Sequence, residues 1–182
     1  ADVGALARSA LAGMLLPDAP LPALAEEIRH RAASGGPEAL ALAMHAVIRE
    51  RMRPGNVSLQ MGMPASVAAS AGEGNRAAVA LALARMLGLD ARLILARPIE
   101  QRGRQLDCPS AQAFGYPLVE LLFAAGPVFL DYADADEPFD YFPARLSGSD
   151  ALEVPLDDSR PARLVDLPRR QSGVLEEARA DV

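Results

Sequence analysis

Apolar residues recur at helical spacing through the N-terminal half of the chain. Leu40, Met44, Val47 and Ile48 are spaced so that their side chains share one face of a helix. Proline at the first turn and glycine after the last turn mark where several of these segments begin and end. The pattern predicts helices over residues 3–15, 22–33, 37–53 and 75–87, and a short helix over 66–70 in the otherwise irregular stretch 56–70.

Short apolar segments rich in branched residues follow in the C-terminal half. Residues 118–123 and 127–132 flank the turn Ala124-Ala125-Gly126, which predicts a β-hairpin. Further strands are predicted at 91–96, 152–155 and 163–167, and a polar loop at 97–113. Because the helices come first and antiparallel strands come afterwards, we expect an α+β fold.

The bulk composition narrows the class of protein. The chain has 182 residues, of which 51% are hydrophobic, so one domain with a sizeable core can form. Its richest apolar run, 77–84, ends at Arg85, well short of the roughly 18 residues that a membrane span needs. The net charge is −6 and the predicted pI is about 4.9. We therefore expect neither a membrane span in this segment nor a nucleic-acid partner, because phosphate contacts need a basic face.

Missing residue types exclude several kinds of chemistry. The chain contains no Lys, Thr or Trp, so all 18 basic residues are Arg. Without Lys there is no P-loop lysine, Schiff base or pyridoxal anchor. Cys108 is the single cysteine, which excludes an internal disulfide and a Cys-rich metal site. The acidic run 131–140 lacks the spacing of a calcium-binding loop, so a solvated loop is predicted, and no metal or cofactor is expected.

The turn Gly72-Glu73-Gly74-Asn75 leads directly into the most apolar predicted helix. One interpretation is a nucleotide-binding turn, which needs a strand before it and an acidic residue at the end of the next strand. The preceding residues, 65–70, are small and polar, and the next predicted strand ends in Ala96-Arg97. Both observations weigh against nucleotide binding.

A second interpretation is a turn that presents a nucleophile, because a helix N-terminus stabilises a thiolate. The phrase ALARMLGLDAR, residues 82–92, followed by a predicted strand, resembles the core of the transglutaminase-like superfamily, which is related to papain-like proteases. Residues 116–121 and 129–132 resemble the strands that carry the family's His and Asp. The resemblance covers about residues 39–146. It implies a transglutaminase-like fold with a central buried helix packed on an antiparallel sheet and N-terminal helices in front.

At two of the three positions where the family has catalytic residues, this chain carries a different residue type. The Cys position falls on Glu73 and the His position on Tyr116, whereas the Asp is kept as Asp131. The resemblance thus implies a non-catalytic member, with no catalytic residue expected. Its former active-site groove, with Glu73, Asn75, Tyr116 and Asp131 as candidates, would bind an unidentified peptide, protein or glycan.

A shift of the alignment does not restore the missing groups. Residues 71–78 contain neither Cys nor Ser, and both histidines, His30 and His45, precede the turn, whereas the family's His follows it. The rival interpretation is an active hydrolase or acyl transferase in which Cys108 pairs with His45. The third interpretation is structural, with Glu73 at the positive helix end and Asn75 as the N-cap.

The organisation of the chain is predicted from the same features. Residues 1–35 are expected to form an N-terminal helical extension, residues 36–156 the transglutaminase-like domain, and residues 157–182 a tail that leads to a further domain of a longer parent protein. The aromatic cluster at 139–143 is predicted to close the core over the hairpin. The phrase PARLSGSDAL, residues 143–152, resembles a segment of envelope-associated bacterial proteins. The compartment stays open, with the bacterial cell envelope or periplasm as one expected setting.

Overall fold

The computed structural model describes residues 11–33, 35–55, 63–97, 114–133, 137–156 and 160–169. Residues 11–14 are helical, and the longer helices are α1 (Leu21–Ala32), α2 (Pro37–Arg51), α3 (Ala65–Ala71) and α4 (Arg76–Leu87). The strands are β1 (Arg53–Pro54), β2 (Glu73–Gly74), β3 (Ala91–Ala96), β4 (Tyr116–Phe123), β5 (Gly126–Asp131), β6 (Asp150–Pro155) and β7 (Arg163–Asp166). None of the helices within these ranges is long and apolar enough to cross a membrane.

Five strands form one antiparallel sheet in the order β5-β4-β3-β6-β7. Strands β4 and β5 form the hairpin that the sequence predicts, with Leu118 opposite Asp131 and Phe123 opposite Gly126. The helices precede this sheet along the chain. The predicted α+β fold is therefore confirmed, including the central helix on an antiparallel sheet.

Helix α4 is the centre of the core. Every residue from Ala77 to Ala84 is at most 3% exposed, since α1, α2 and α3 pack against the helix, and β3 and β4 cover it as well. Asn75 caps its first turn, and Gly88 ends it in the left-handed conformation with φ of 72°. The predicted boundaries of this helix and its glycine cap are confirmed.

The two faces of the sheet contact different partners because side chains alternate along each strand. One face packs against the helices and contributes Leu93, Val119, Leu130 and Tyr132, among others, to the larger hydrophobic core. The other face carries a smaller cluster that includes Ile94, Leu118, Phe129, Phe142 and Leu146.

The segment after the hairpin closes this second face. The rings of Phe129 and Phe142 meet edge to face at 5.1 Å, and the backbone N–H of Phe129 donates to Asp140 Oδ1 at 3.3 Å. A short 3-10 helix, Ala144–Leu146, then buries Leu146 completely. These contacts confirm that the aromatic cluster at 139–143 closes the core over the hairpin.

The stretch around residue 53 departs from the prediction. The helix predicted over 37–53 ends at Arg51, and Arg53–Pro54 instead pairs in parallel with Glu73–Gly74. The reason is Pro54, which disfavours helical backbone at the residue before it. Residues 65–71 are helical, as predicted for 66–70. Because the element directly before the glycine turn is helix α3 rather than a strand, the nucleotide-binding interpretation lacks its structural context.

Several predictions fall outside the described residues. These are the start of the first helix at 3–10, most of the loop 97–113 with Cys108, part of the acidic run at 134–136, and residues 157–159 and 170–182 of the predicted tail. The strand prediction at 91–96 is confirmed, and those at 152–155 and 163–167 agree with β6 and β7 to within two residues.

Candidate functional site

The helix tip, residues 72–76, joins α3 to α4 and is held on its outer side by β1. The backbone N–H of Arg53 donates to the Gly72 carbonyl at 2.8 Å. Gly74 has φ of 116°, a conformation that favours glycine. The side chain of Asn75 is 5% exposed, and its Oδ1 accepts a hydrogen bond from the Ala78 N–H at 3.0 Å. The N-cap role predicted for Asn75 is confirmed, and the tip is therefore a rigid entry to the central helix.

Arg76, the first residue of α4, connects the helix tip to a buried polar layer. Its side chain is 2% exposed, and its guanidinium carbon lies 5.9 Å from the centre of the Tyr132 ring. The Tyr132 ring lies 5.5 Å from the imidazole of His45, which projects from α2. His45 also meets Phe139 edge to face at 5.8 Å. A cation, a phenol and an imidazole therefore meet beneath the helix tip.

The His45 imidazole is neutral at physiological pH. Burial, together with the nearby Arg49 and Arg76 guanidiniums, lowers the pKa of His45 to about 4. Its Nε2 lies 3.2 Å from the Glu137 carbonyl oxygen. Because a carbonyl only accepts, Nε2 carries the proton and donates. Burial also favours the neutral form of Tyr132, in this case by raising its pKa, so this residue stays a neutral phenol.

Tyr116 and Asp131 form a second polar cluster with Arg145. The Tyr116 hydroxyl donates to Asp131 Oδ2 at 2.5 Å, and it accepts from the Arg145 guanidinium at 2.6 Å. The other carboxylate oxygen, Asp131 Oδ1, accepts from the Ala133 N–H at 2.9 Å. Burial raises the pKa of Tyr116, and the hydrogen bond to the Asp131 carboxylate raises it further. This cluster ties the 3-10 helix segment to the hairpin.

The sheet separates these two clusters. Asp131 lies opposite Leu118 in the hairpin register and Tyr116 packs on the second face, whereas Tyr132 belongs to the core on the helix side. The structure therefore brings Tyr116 and Asp131 together but does not place them with Asn75, which caps the helix on the other face. Glu73 is exposed at the helix tip.

Of the side chains beneath the helix tip, the sequence reasoning missed Arg76 and Tyr132 and named His45 only as a partner of Cys108 in the rival interpretation. Strand alternation could have identified Tyr132, because it follows Asp131 and so points to the opposite face. The contact of His45 with Glu137, 92 residues further along, left no signal in the sequence.

Removal of the Tyr116 hydroxyl tests the second cluster. We expect Tyr116→Phe to lower the free energy of unfolding by about 1–2 kcal/mol, because the buried Asp131 carboxylate loses one of its donors. Urea unfolding of Tyr116→Phe, Asp131→Asn and the double variant measures the coupling between the two side chains. We expect a coupling of about 1 kcal/mol, and strictly additive losses would contradict the assigned pair.

Two clefts lie at opposite ends of α4. The tip cleft, beside the helix tip, has a volume of about 400 Å³ and is lined by Ala46, Arg49, Glu50, Met52, Arg53, Pro54 and Arg76. The distal cleft, at the C-terminal end of the helix, has a volume of about 390 Å³ and includes Arg85, Arg92 and Arg160 in its wall. The Arg92 guanidinium forms an ion pair with the Glu153 carboxylate at 2.9 Å.

The described residues contain no group of three or more His, Cys, Asp or Glu side chains that could hold a metal ion. Within the acidic run, Asp131 and Asp140 accept hydrogen bonds from backbone N–H groups of Ala133 and Phe129. These two carboxylates therefore have structural roles.

Comparison with known proteins supports the fold. No protein-family model and no curated protein matches the sequence. Among solved structures, the chain is similar to a crystal structure of a "putative protease" from Parabacteroides distasonis, with a TM-score of 0.65 and 11% sequence identity. The similarity covers 92% of this chain and 31% of that protein, so the chain spans about a third of its length. At this identity the similarity concerns the fold alone, which is an α+β, protease-like arrangement.

Proposed function

We propose that the chain is a non-catalytic domain of the transglutaminase-like type that binds a peptide at the helix tip. A central buried helix on an antiparallel sheet, and similarity in fold to a protein named as a protease, support the scaffold. The observation that carries the proposal is the environment of His45. Its described hydrogen-bond partner is a backbone carbonyl, and its two ring neighbours are Tyr132 and Phe139.

This environment is unsuited to nucleophilic catalysis. A general base works best when its pKa lies near the operating pH and when it contacts the group that it deprotonates. The pKa of His45 is about 4, so its neutral ring is a weak base, and its described ring neighbours are Tyr132 and Phe139 rather than a thiol or an aliphatic hydroxyl. The neighbouring Tyr132 keeps its proton because burial raises its pKa.

The same region is suited to binding. Glu73 is exposed at the helix tip, and Arg49 and Arg53 line the adjoining cleft from α2 and β1. Charged groups of both signs suit the termini and side chains of a peptide, whereas a neutral glycan has no charge to match them. Of the four groove residues predicted from the sequence, the proposed binding surface therefore includes Glu73 and Asn75. It does not include Tyr116 and Asp131, which lie on the other face of the sheet.

A turnover assay tests the absence of catalysis. The purified chain and its Cys108→Ser variant are incubated with dye-labelled casein, and hydrolysis is followed together with incorporation of an amine probe, dansylcadaverine. We expect both proteins to match the buffer blank, because the described groups beneath the helix tip include no activated nucleophile. Turnover by the wild type that Cys108→Ser abolishes would replace the proposal by the hydrolase or acyl transferase interpretation.

A further inference from the structure

We propose that the outer edge of strand β7 binds an extended peptide, which joins the five-stranded sheet as a sixth, antiparallel strand. The peptide carries an apolar residue beside Leu164 and a basic residue beside Asp166. This inference goes beyond the proposed function, because it concerns a second surface that shares no residue with the helix tip.

The backbone of β7 has hydrogen-bonding groups that point away from the sheet. The Leu167 N–H donates to the Ser149 carbonyl at 2.8 Å, which fixes the residues of β7 that face β6. Because facing residues alternate in an antiparallel ladder, the N–H and C=O groups of Leu164 and Asp166 point outwards. Among the residues that the structure describes, none bonds to these groups. They therefore form a template on which another strand can pair.

The opposite edge of the sheet, at β5, is blocked. Pro127 has no N–H to offer, and the N–H of Phe129 donates to Asp140 Oδ1 at 3.3 Å. The segment after the hairpin therefore occupies that edge. Within the described part of the chain, β7 has no equivalent cover, so the two edges of one sheet differ in their capacity to accept a strand.

The side chains of β7 indicate which peptide fits. Leu164 is 69% exposed and lies opposite Leu152 of the larger core, so an apolar residue of an added strand would extend this core. Asp166 lies directly opposite Asp150, and like charges in that arrangement destabilise a sheet. Arg97 pairs with Asp150, whereas no described side chain pairs with Asp166. A basic residue beside Asp166 offsets the repulsion.

The length of the edge favours a peptide over a second copy of the chain. Pro161 and Pro168 lack an N–H and bound the stretch that can pair. Two copies joined through so few residues would bury far less than the roughly 1,200 Å² of a stable protein interface. A short extended peptide needs no larger surface, because its backbone bonds supply much of the affinity.

Two matched peptides test the backbone ladder. Nuclear magnetic resonance of the ¹⁵N-labelled chain follows titration with acetyl-Gly-Arg-Val-Val-Ser-Gly-amide, in which the second Val faces Leu164 and Arg faces Asp166. We expect shifts of the Leu164 and Asp166 amides and a dissociation constant of about 1 mM or below. N-methylation of the second Val is expected to weaken binding at least about tenfold, because it removes a donor towards β7. N-methylation of the first Val, whose N–H faces away, is expected to change binding by less than about twofold.

Two variants of the protein test the same ladder from the other side. Leu164→Pro removes an outward N–H without removing a bond to β6, whereas Leu164→Ala keeps that N–H. We expect Leu164→Pro to weaken binding at least about tenfold and Leu164→Ala to weaken it about threefold. Circular dichroism checks that both variants fold, and the N-methylated peptides test the ladder on the unaltered chain. A Glu in place of the peptide's Arg is expected to weaken binding to the wild type more than to Asp166→Asn.

Several results would overturn the proposal. These are no shift of the Leu164 and Asp166 amides at about 5 mM peptide, equal effects of the two N-methylations, or unaltered binding by a folded Leu164→Pro variant. Concentration-dependent shifts of the same amides without peptide, together with a dimer in sedimentation equilibrium, would also overturn it, in favour of a second copy. None of these measurements involves the helix tip or the turnover assay, so the β7 site can fail while the proposed function stands.

Discussion

Replacement of Leu81 by alanine is expected to lower the free energy of unfolding by about 2–5 kcal/mol. Leu81 is fully buried in α4, which α1, α2 and α3 surround and which β3 and β4 cover. Because the helix is enclosed on all sides, neighbouring side chains have little room to move into the space that the shortened side chain leaves. Urea unfolding followed by circular dichroism measures the loss.

Leu164→Ala is the matched control for this prediction. Leu164 lies in the edge strand β7 and is 69% exposed, so the same chemical change there is expected to cost less than about 0.5 kcal/mol. Equal losses at the two positions would show that α4 is not the centre of the core.

Acidification from about pH 7.5 to about pH 4.5 is expected to remove about 2–3 kcal/mol of stability through His45 alone. The pKa of His45 falls from 6.5 in the unfolded chain to about 4 in the folded protein, because burial disfavours the imidazolium. Between these values the unfolded state binds more protons than the folded state. The contribution is therefore complete above the unfolded pKa and is lost as the pH falls towards the folded pKa.

The variant His45→Gln isolates this effect, because it removes the titration and keeps a donor towards the Glu137 carbonyl. Urea unfolding across the same pH range is expected to show a smaller loss for this variant than for the wild type, by about 2–3 kcal/mol. His30→Gln, at an exposed position on α1, is the control and is expected to follow the wild type. Parallel pH profiles for all three proteins would contradict the buried neutral imidazole.

The central helix and the hairpin were predictable because each depends on local signals. An uninterrupted apolar run ending at Gly88 indicates a buried helix with a left-handed cap, and that helix is observed as Arg76–Leu87. Two apolar segments around a short turn ending in Gly126 indicate paired strands, and these are observed with a single register. In both cases the propensity, the hydrophobic pattern and the turn residues favour the same structure.

The candidate site was less predictable because it depends on which face of a strand each residue occupies and on distant contacts. The spacing of the catalytic positions in the transglutaminase-like superfamily predicted Asp131 as a site residue. The side chain that lies beneath the helix tip is instead that of Tyr132, the next residue in the chain. A shift of one position in a strand exchanges the two faces of the sheet. The pairing of Arg53–Pro54 with Glu73–Gly74 involves only two residues a side, too few to leave a pattern in the sequence.

The two faces of the sheet are assigned different roles in this account. On the second face, Tyr116, Asp131 and Arg145 attach the segment after the hairpin through hydrogen bonds of 2.5 and 2.6 Å. On the helix side, His45, Arg76 and Tyr132 support the helix tip from below.

The central claim, that the scaffold lacks an activated nucleophile, is tested most directly by a thiol-reactive peptide. The wild type and His45→Gln are incubated with a peptidyl chloromethyl ketone, and intact-mass spectrometry follows the adduct on Cys108, the single cysteine. An enzyme with a Cys–His pair alkylates rapidly because the imidazole activates the thiol. The account predicts equal, slow rates for the two proteins. A wild-type rate about tenfold or more above that of His45→Gln would contradict it.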